Sequence, residues 1–273
     1  MSDTMHDPEA RLASFRSRRA ESVVKPQGPL ALINTQWIDA EQTIYGVRGR
    51  WAPAPGGLTV TAEASDAIDI DGARVDGTVL VRGKDHAEPS SIEFGGTVTG
   101  FVIAGENGAY GLRVWDAASE AIREFGSIDA FDYNPDWVVT ATFTENPAGT
   151  TLGFEHLKDG GRTREEVMPG DIAFTRDGVG YHLAAFKSGK ALQLVFADKS
   201  NGVDTYSVGR FLFVVPNSDG TITLDFNLAV LPPCAFSYNF NCPLPPRQNR
   251  FDVRIEAGEK TVLKADGSKL HPE

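Results

Sequence analysis

The chain has 273 residues, 41% of them hydrophobic and 23% charged, enough for a sizeable core in one large domain or two intimate ones. Its net charge of -11 excludes a nonspecific nucleic-acid binder, which needs cationic surface to displace counterions, and argues against docking on anionic membrane. No apolar run approaches the roughly 20 residues that span a bilayer, and 28 glycines with 16 phenylalanines favour sheet over helix.

Asp7, Pro8 and Glu9 make a helix start: Asp7 caps, Pro8 suits the first turn, and Glu9 favours the positive end of the dipole. The predicted helix runs to about Val24. Its apolar residues are few (Leu12, Phe15, Val23, Val24), and it carries Arg11, Arg16, Arg18 and Arg19. The expectation is a solvated helix held to the domain edge by Leu12 and Phe15. The polar first 21 residues lack the apolar stretch of a secretory signal, so the expected compartment is the cytoplasm, with Cys234 and Cys242 as thiols.

From Gly28 onward the pattern turns to period two. Short runs such as Leu58–Thr61, Gly77–Val81, Gly100–Ile103 and Tyr110–Val114 alternate with turns, including one at 105–108, as in an antiparallel sandwich or barrel. Residues 118–123 add at most a short helical turn. Tyr133–Trp137 is a turn leading into a strand to Phe143. On it Trp137, Val139, Ala141 and Phe143 share one face. A seam is placed here. The parts are a helix and lead-in (1–27), an N-terminal β lobe (28–135), a C-terminal β lobe (136–262) and a polar, frayed tail (263–273).

In the C-terminal lobe, strands are expected over 180–186, 191–196, 204–208 and 210–215. A 217–220 hairpin turn then leads into 221–227. Residues 250–256 read as the cleanest amphipathic strand, with Phe251, Val253 and Ile255 inward. The fold expectation is therefore mainly β: antiparallel sheets in two coupled lobes, sandwich or barrel-like, with one N-terminal helix.

Strand parity narrows the chemistry. Asp225 and Asn227 share a face with Thr223, about 7 Å apart, close enough to hold one small group. Arg210 alternates with Leu212 and Val214, and an arginine on an aliphatic face must find a carboxylate or water. Counting outward from the hairpin offers Asp225 as its diagonal neighbour, either as a structural ion pair or as half of a site. Asp198, Ser200 and Asn201 suggest a calcium loop, but Lys199 interrupts it and no glutamate follows at the required distance, so a plain turn is favoured. The two cysteines are one wide pair among five scattered histidines, unlike a zinc site. His182 is the one base whose strand setting suits a cysteine nucleophile. There is no Gly-rich phosphate loop and no nucleophile elbow, so neither metal nor cofactor is expected.

The segment from Cys234 to Pro246, preceded by Pro232 and Pro233, is too stiff for a linker and reads as a closely specified loop. Around it lie Leu224-Asp225-Phe226-Asn227, Asn249-Arg250 and Ala257-Gly258-Glu259-Lys260. Together with Gly209-Arg210-Phe211-Leu212, these runs closely resemble a bacterial and archaeal family known only as a domain of unknown function, number sixteen eighty-four in its series. The resemblance is specific across about 195–260 and looser upstream. It implies that Asp198, Gly202, Thr205, Tyr206, Gly209, Arg210, Asp225, Asn227, Cys234, Cys242, Asn249, Glu256, Glu259 and Lys260 are family positions. The chain departs at Val230-Leu231, where the family usually has Tyr-Asn, so a ligand supplied by that asparagine would be missing here.

The expected function is binding of a small polar or anionic molecule in the C-terminal lobe. Arg210 clamps an anionic group, and Asn227, Asp198, Tyr206, Asn249 and Lys260 surround the ligand. The Cys234–Cys242 loop forms a rigid wall. If chemistry occurs, Asp225 or Glu256 is the general acid or base. The competing expectation is a structural or protein-interaction module in which these residues only hold the fold. The sequence leaves the oligomeric state open.

Overall fold

The period-two pattern folds as sheet: 44% strand against 15% helix, in several antiparallel sheets, in a computed structural model describing residues 7–105 and 108–271. The centre of the 105–108 turn, residues 106 and 107, lies outside the described residues. The chain divides into two compact units, Glu21–Glu124 and Met1–Ala20 with Phe125–Glu273. The seam thus falls at 124/125, eleven residues before the sequence boundary, because β10 (Phe125–Ala130) pairs with β19 (Glu259–Lys264), far along the chain.

In the first unit the strands are β1 (Leu32–Ile38), β2 (Arg50–Ala54), β3 (Gly57–Ala62), β4 (Asp69–Ile70), β5 (Ala73–Arg74), β6 (Gly77–Arg82), β7 (Ile92–Glu93), β8 (Val98–Ala104) and β9 (Tyr110–Asp116). They form one sheet in the order β1-β9-β8-β7-β4-β5 and another in the order β2-β3-β6. Trp51, Leu58, Val60, Ile68, Val81, Leu112 and Val114 fill the core of this unit. The short helix α2 (Glu120–Glu124) matches the turn expected there.

The second unit carries the sequence signature. Beside β10 and β19 it contains β11 (Val138–Glu145), β12 (Thr151–Glu155), β13 (Thr163–Val167), β14 (Gly170–Arg176), β15 (Val179–Ser188), β16 (Ala191–Phe196), β17 (Arg210–Val214) and β18 (Thr221–Asp225). Six strands, in the order β17-β16-β15-β14-β11-β18, make a nearly closed, barrel-like sheet. Parity sets its interior. Ile172, Leu183, Leu194, Leu212, Ile222 and Leu224 point inward with Phe196, Phe226 and Phe251, whose rings meet edge to face. The helix runs from Pro8 to Val23. Its Leu12 is buried and its Phe15 packs on the cluster holding Cys234 and Cys242.

Four expectations are corrected. Strands β17 and β18 do not ladder as a hairpin; the turn between them closes beyond β17, through a Pro216–Ile222 bridge and Asn217 N–H to Thr221 O (2.8 Å), and Phe211 pairs with Val230. Residues 204–208 are turn, not strand. The described part of the tail is not frayed: Lys264 N–H donates to Ser268 O (2.8 Å), Leu270 N–H to Val262 O (2.9 Å), and Leu270 is buried. Residues 250–256 form no strand. Phe251 and Ile255 do enter the core, but Val253 is exposed; Phe251 N–H donates to Ala197 O (2.8 Å) and Val253 O accepts from Lys199 N–H (3.0 Å), while Ile255 O turns to Arg210 instead.

Candidate functional site

Arg210 lies on the inward face of β17, opposite Phe196 in register, so the barrel end must accommodate a cation. It does so from within. One guanidinium nitrogen donates to Asp198 Oδ2 (2.7 Å) and Ile255 O (2.9 Å); the other donates to the carbonyls of Ala257 and Glu259. Both side chains of the Arg210–Asp198 pair have zero exposure. Burial lowers the Arg210 pKa while Asp198 opposes the fall. Asp198 Oδ1 also accepts from Ser200 N–H (2.8 Å) and Ile255 N–H (3.2 Å), which makes the 198–201 turn a clamp on the 250–256 segment. Gly258 completes the chain path. Its φ is +82°, and a Cβ there would fall 2.7 Å from the carbonyl oxygens of both Phe226 and Ala229.

A second buried acid continues the network. Glu259 accepts from Arg19 of the N-terminal helix (3.0 Å) and from Leu231 N–H (2.7 Å), while Arg19 also donates to Leu231 O. Burial pushes the Glu259 carboxyl above its ordinary range, with Arg19 and the Leu231 N–H pulling it back. Leu231 therefore serves this network through its backbone.

The other expected site residues divide the same way. Arg210 does not pair with Asp225. The Asp225 carboxylate accepts from the backbone N–H (3.1 Å) and side chain (2.9 Å) of Asn227, capping the turn that follows β18. Asn227 in turn accepts from Asn134 N–H (2.7 Å) and donates to Asn134 O (2.9 Å). Glu256 is exposed and pairs with Arg254 (3.0 Å), so the two candidate acid–base residues have separate partners. Lys260 binds Asp129 (2.7 Å). Tyr206 hydroxyl donates to Cys234 O (3.3 Å), and burial pushes its pKa up. His182, weighed as a base for cysteine, contacts Asp171 Oδ2 through Nδ1 (2.9 Å) instead. Among the described residues no group of three or more His, Cys, Asp or Glu side chains is placed to hold a metal ion. No helix among them is long and apolar enough to cross a membrane.

Asn249 links this interior to the surface. Fully buried, it accepts from Ala184 N–H (2.8 Å) and donates to Ala184 O (2.7 Å) and Val195 O (2.7 Å). The β15–β16 ladder begins at Ala185, so the carboxamide stands in for its next peptide. That anchor fixes the turn Arg247–Asn249 against the barrel, with Arg247, Gln248 and Arg250 facing solvent.

Beside this turn opens a cleft of about 710 Å³, lined by Val179, Tyr181, His182, Arg247, Arg250 and Val253 among others. Tyr181 stacks on Phe174 (4.9 Å between ring centres) and lies 5.0 Å from Phe251, which gives the cleft a rigid aromatic wall. Arg250 donates through Nε to Pro245 O (3.2 Å). Neither Arg247 nor Arg250 has a carboxylate partner among the described residues. A second cleft, of about 550 Å³, shares Arg247, Gln248 and Arg250 with the first and is lined otherwise by Leu244-Pro245-Pro246 and the β12–β13 hairpin. Sequence reasoning quoted Arg250 in the Asn249-Arg250 run and placed it on a strand without a site role, and it passed over Arg247 and Tyr181 as site residues. The available signal was two long polar residues, Arg247 and Gln248, directly after a proline run.

A search of curated proteins finds no match to this chain. A solved structure, the solution NMR structure of an uncharacterized protein from gene locus rrnAC0354 of Haloarcula marismortui, is 37% identical. It aligns over 50% of this chain and 77% of its own, with a TM-score of 0.41. The sequence profile of the family described as "Protein of unknown function (DUF1684)" matches residues 123–260, the stretch that contains the Asp198–Arg210 pair, Asn249 and the arginine turn. The chain belongs to that family.

Proposed function

We propose that the protein binds a small anionic molecule with an apolar or planar body in the cleft beside the Arg247–Asn249 turn. The observation that carries the reading is two arginines without a carboxylate partner among the described residues, lining one cleft whose one acid, Asp252, is paired with Lys199 (3.0 Å), in a chain of net charge -11. Unpaired guanidinium groups attract carboxylate or phosphate, and their planar donors suit bidentate contact. Tyr181, Val179 and Val253 supply apolar contact for the rest of the ligand.

The buried motif residues then have a different task from the one expected for them. Asp198, Arg210 and Asn249 hold the chain that presents Arg247 and Arg250. A purely structural role for that network is favoured by the zero exposure of Arg210 and Asp198, and it is compatible with a ligand site on the network's outer side.

The test is thermal shift and calorimetry with inorganic phosphate, citrate, benzoate and octanoate. At least one anion is expected to raise the melting temperature. Arg247→Gln with Arg250→Gln is expected to weaken binding by about tenfold or more, from loss of charge-assisted contacts of roughly 1.5–3 kcal/mol. No stabilisation by any anion, or binding that survives the double substitution, overturns the reading.

A further inference from the structure

Cys234 and Cys242 are both buried, and no disulfide joins them. They nevertheless converge. Cys234 N–H donates to Cys242 Sγ (3.3 Å), and the hydrogen bond with Cys242 pulls the Cys234 thiol below its ordinary pKa. Val195, Phe211, Val230 and Phe240 enclose the pair, and Phe15 of the helix packs on it. The segments bearing the cysteines are stiffened on both sides. Cys234 sits in the turn Pro233–Ala235, and Cys242 precedes Pro243. Two sulfurs brought this close by rigid backbone need little movement to bond.

We propose that Cys234 and Cys242 are a redox couple that closes an intramolecular disulfide when a low-molecular-weight disulfide, of the oxidised glutathione type, accepts the electrons. One protein thiolate attacks a glutathione sulfur, the glutathione S–S bond breaks, and one glutathione thiol leaves. The second protein thiolate attacks the protein sulfur of the mixed disulfide, the Sγ–Sγ bond forms, and the second glutathione leaves. The two thiol protons pass to the two departing glutathiones, and the protein loses two electrons. Burial of both sulfurs makes opening of the 234–242 loop the slow step.

The consequence reaches the β12–β13 hairpin. Leu157 N–H donates to Cys242 O (2.9 Å), Leu244 N–H to Glu155 O (2.7 Å), and Asn241 binds Asp159 (2.7 Å), so the hairpin hangs on the cysteine loop. Closing the loop restrains the wall on which the hairpin rests. The proposal does not depend on the anion site.

The experiment incubates native wild-type protein in glutathione buffers of graded redox ratio, then alkylates in denaturant and weighs the product. The expected result is a single transition to a species lacking two hydrogens and refusing alkylation, reversed by dithiothreitol. A rise in melting temperature of about 5 °C should accompany it, as for closure of a short loop. Two thiols still alkylated after days at the most oxidising ratio, a persistent glutathione adduct or a disulfide-linked dimer would each overturn it. Cys242→Ala should abolish the transition; if that variant does not fold, the wild-type titration decides alone.

Discussion

Asp198→Asn isolates the charge of the buried pair from its shape. The asparagine keeps an oxygen for Ser200 N–H and Ile255 N–H but leaves Arg210 charged, with zero exposure and no carboxylate in direct contact. Removing one partner of a buried pair costs about 3–5 kcal/mol, since the remaining charge stays desolvated. Unfolding in urea with a slope of about 2 kcal/mol per molar should then show a midpoint lower by about 1.5–2.5 M at unchanged slope. The reasoning has a second arm. Replacing both partners with apolar residues, Asp198→Leu with Arg210→Met, removes the stranded charge and should recover much of the loss, although the carbonyls of Ile255 and Ala257 lose their donor. A loss below about 1 kcal/mol for Asp198→Asn, or a double variant no better than the single one, would falsify the account of this pair as the end plug of the barrel.

Arg19→Ala should destabilise by about 2 kcal/mol near neutral pH, below the figure for a fully enclosed pair because the Arg19 side chain keeps 19% exposure. The loss depends on pH. A carboxyl raised in the folded state stabilises fully below its unfolded value of about 4.3 and loses that contribution as pH rises through the folded value. Without Arg19 the folded value of Glu259 climbs further, so the penalty should shrink on acidification; a loss constant from about pH 5 to 8 contradicts this. Asn249→Ala strands Ala184 N–H, Ala184 O and Val195 O, for about 3 kcal/mol or more. It should also loosen the arginine turn, so hydrogen exchange is expected to quicken at both 184 and 247–250. Exchange that quickens at neither, or at 184 alone, separates Asn249 from the turn.

The sequence alone was sufficient wherever one rule governed a side chain. Alternation on 137–143 and 221–226 placed Trp137, Ala141, Ile222 and Leu224 inward, since a strand exposes its faces by turns. The Asp7-Pro8-Glu9 start and the sparse apolar stripe foretold a helix resting on Leu12 and Phe15. An arginine alternating with Leu212 and Val214 on β17 called for either a carboxylate or water, as desolvation requires, and the carboxylate is what it finds.

Which carboxylate it was, only the tertiary structure decided. Strand register places Arg210 beside Phe196, and two residues further that strand's parity brings Asp198 to the barrel end, while Asp225 turns to cap its own loop. The same plug explains 250–256. Phe251 and Ile255 keep the apolar parity that suggests a strand, and Phe251 N–H and Val253 O bond the 197–199 backbone, but the guanidinium takes the Ile255 carbonyl at the segment's end. Local pattern reports which side of the chain is apolar. It does not report where the backbone's own hydrogen bonds go, because a partner 45 residues away makes that choice.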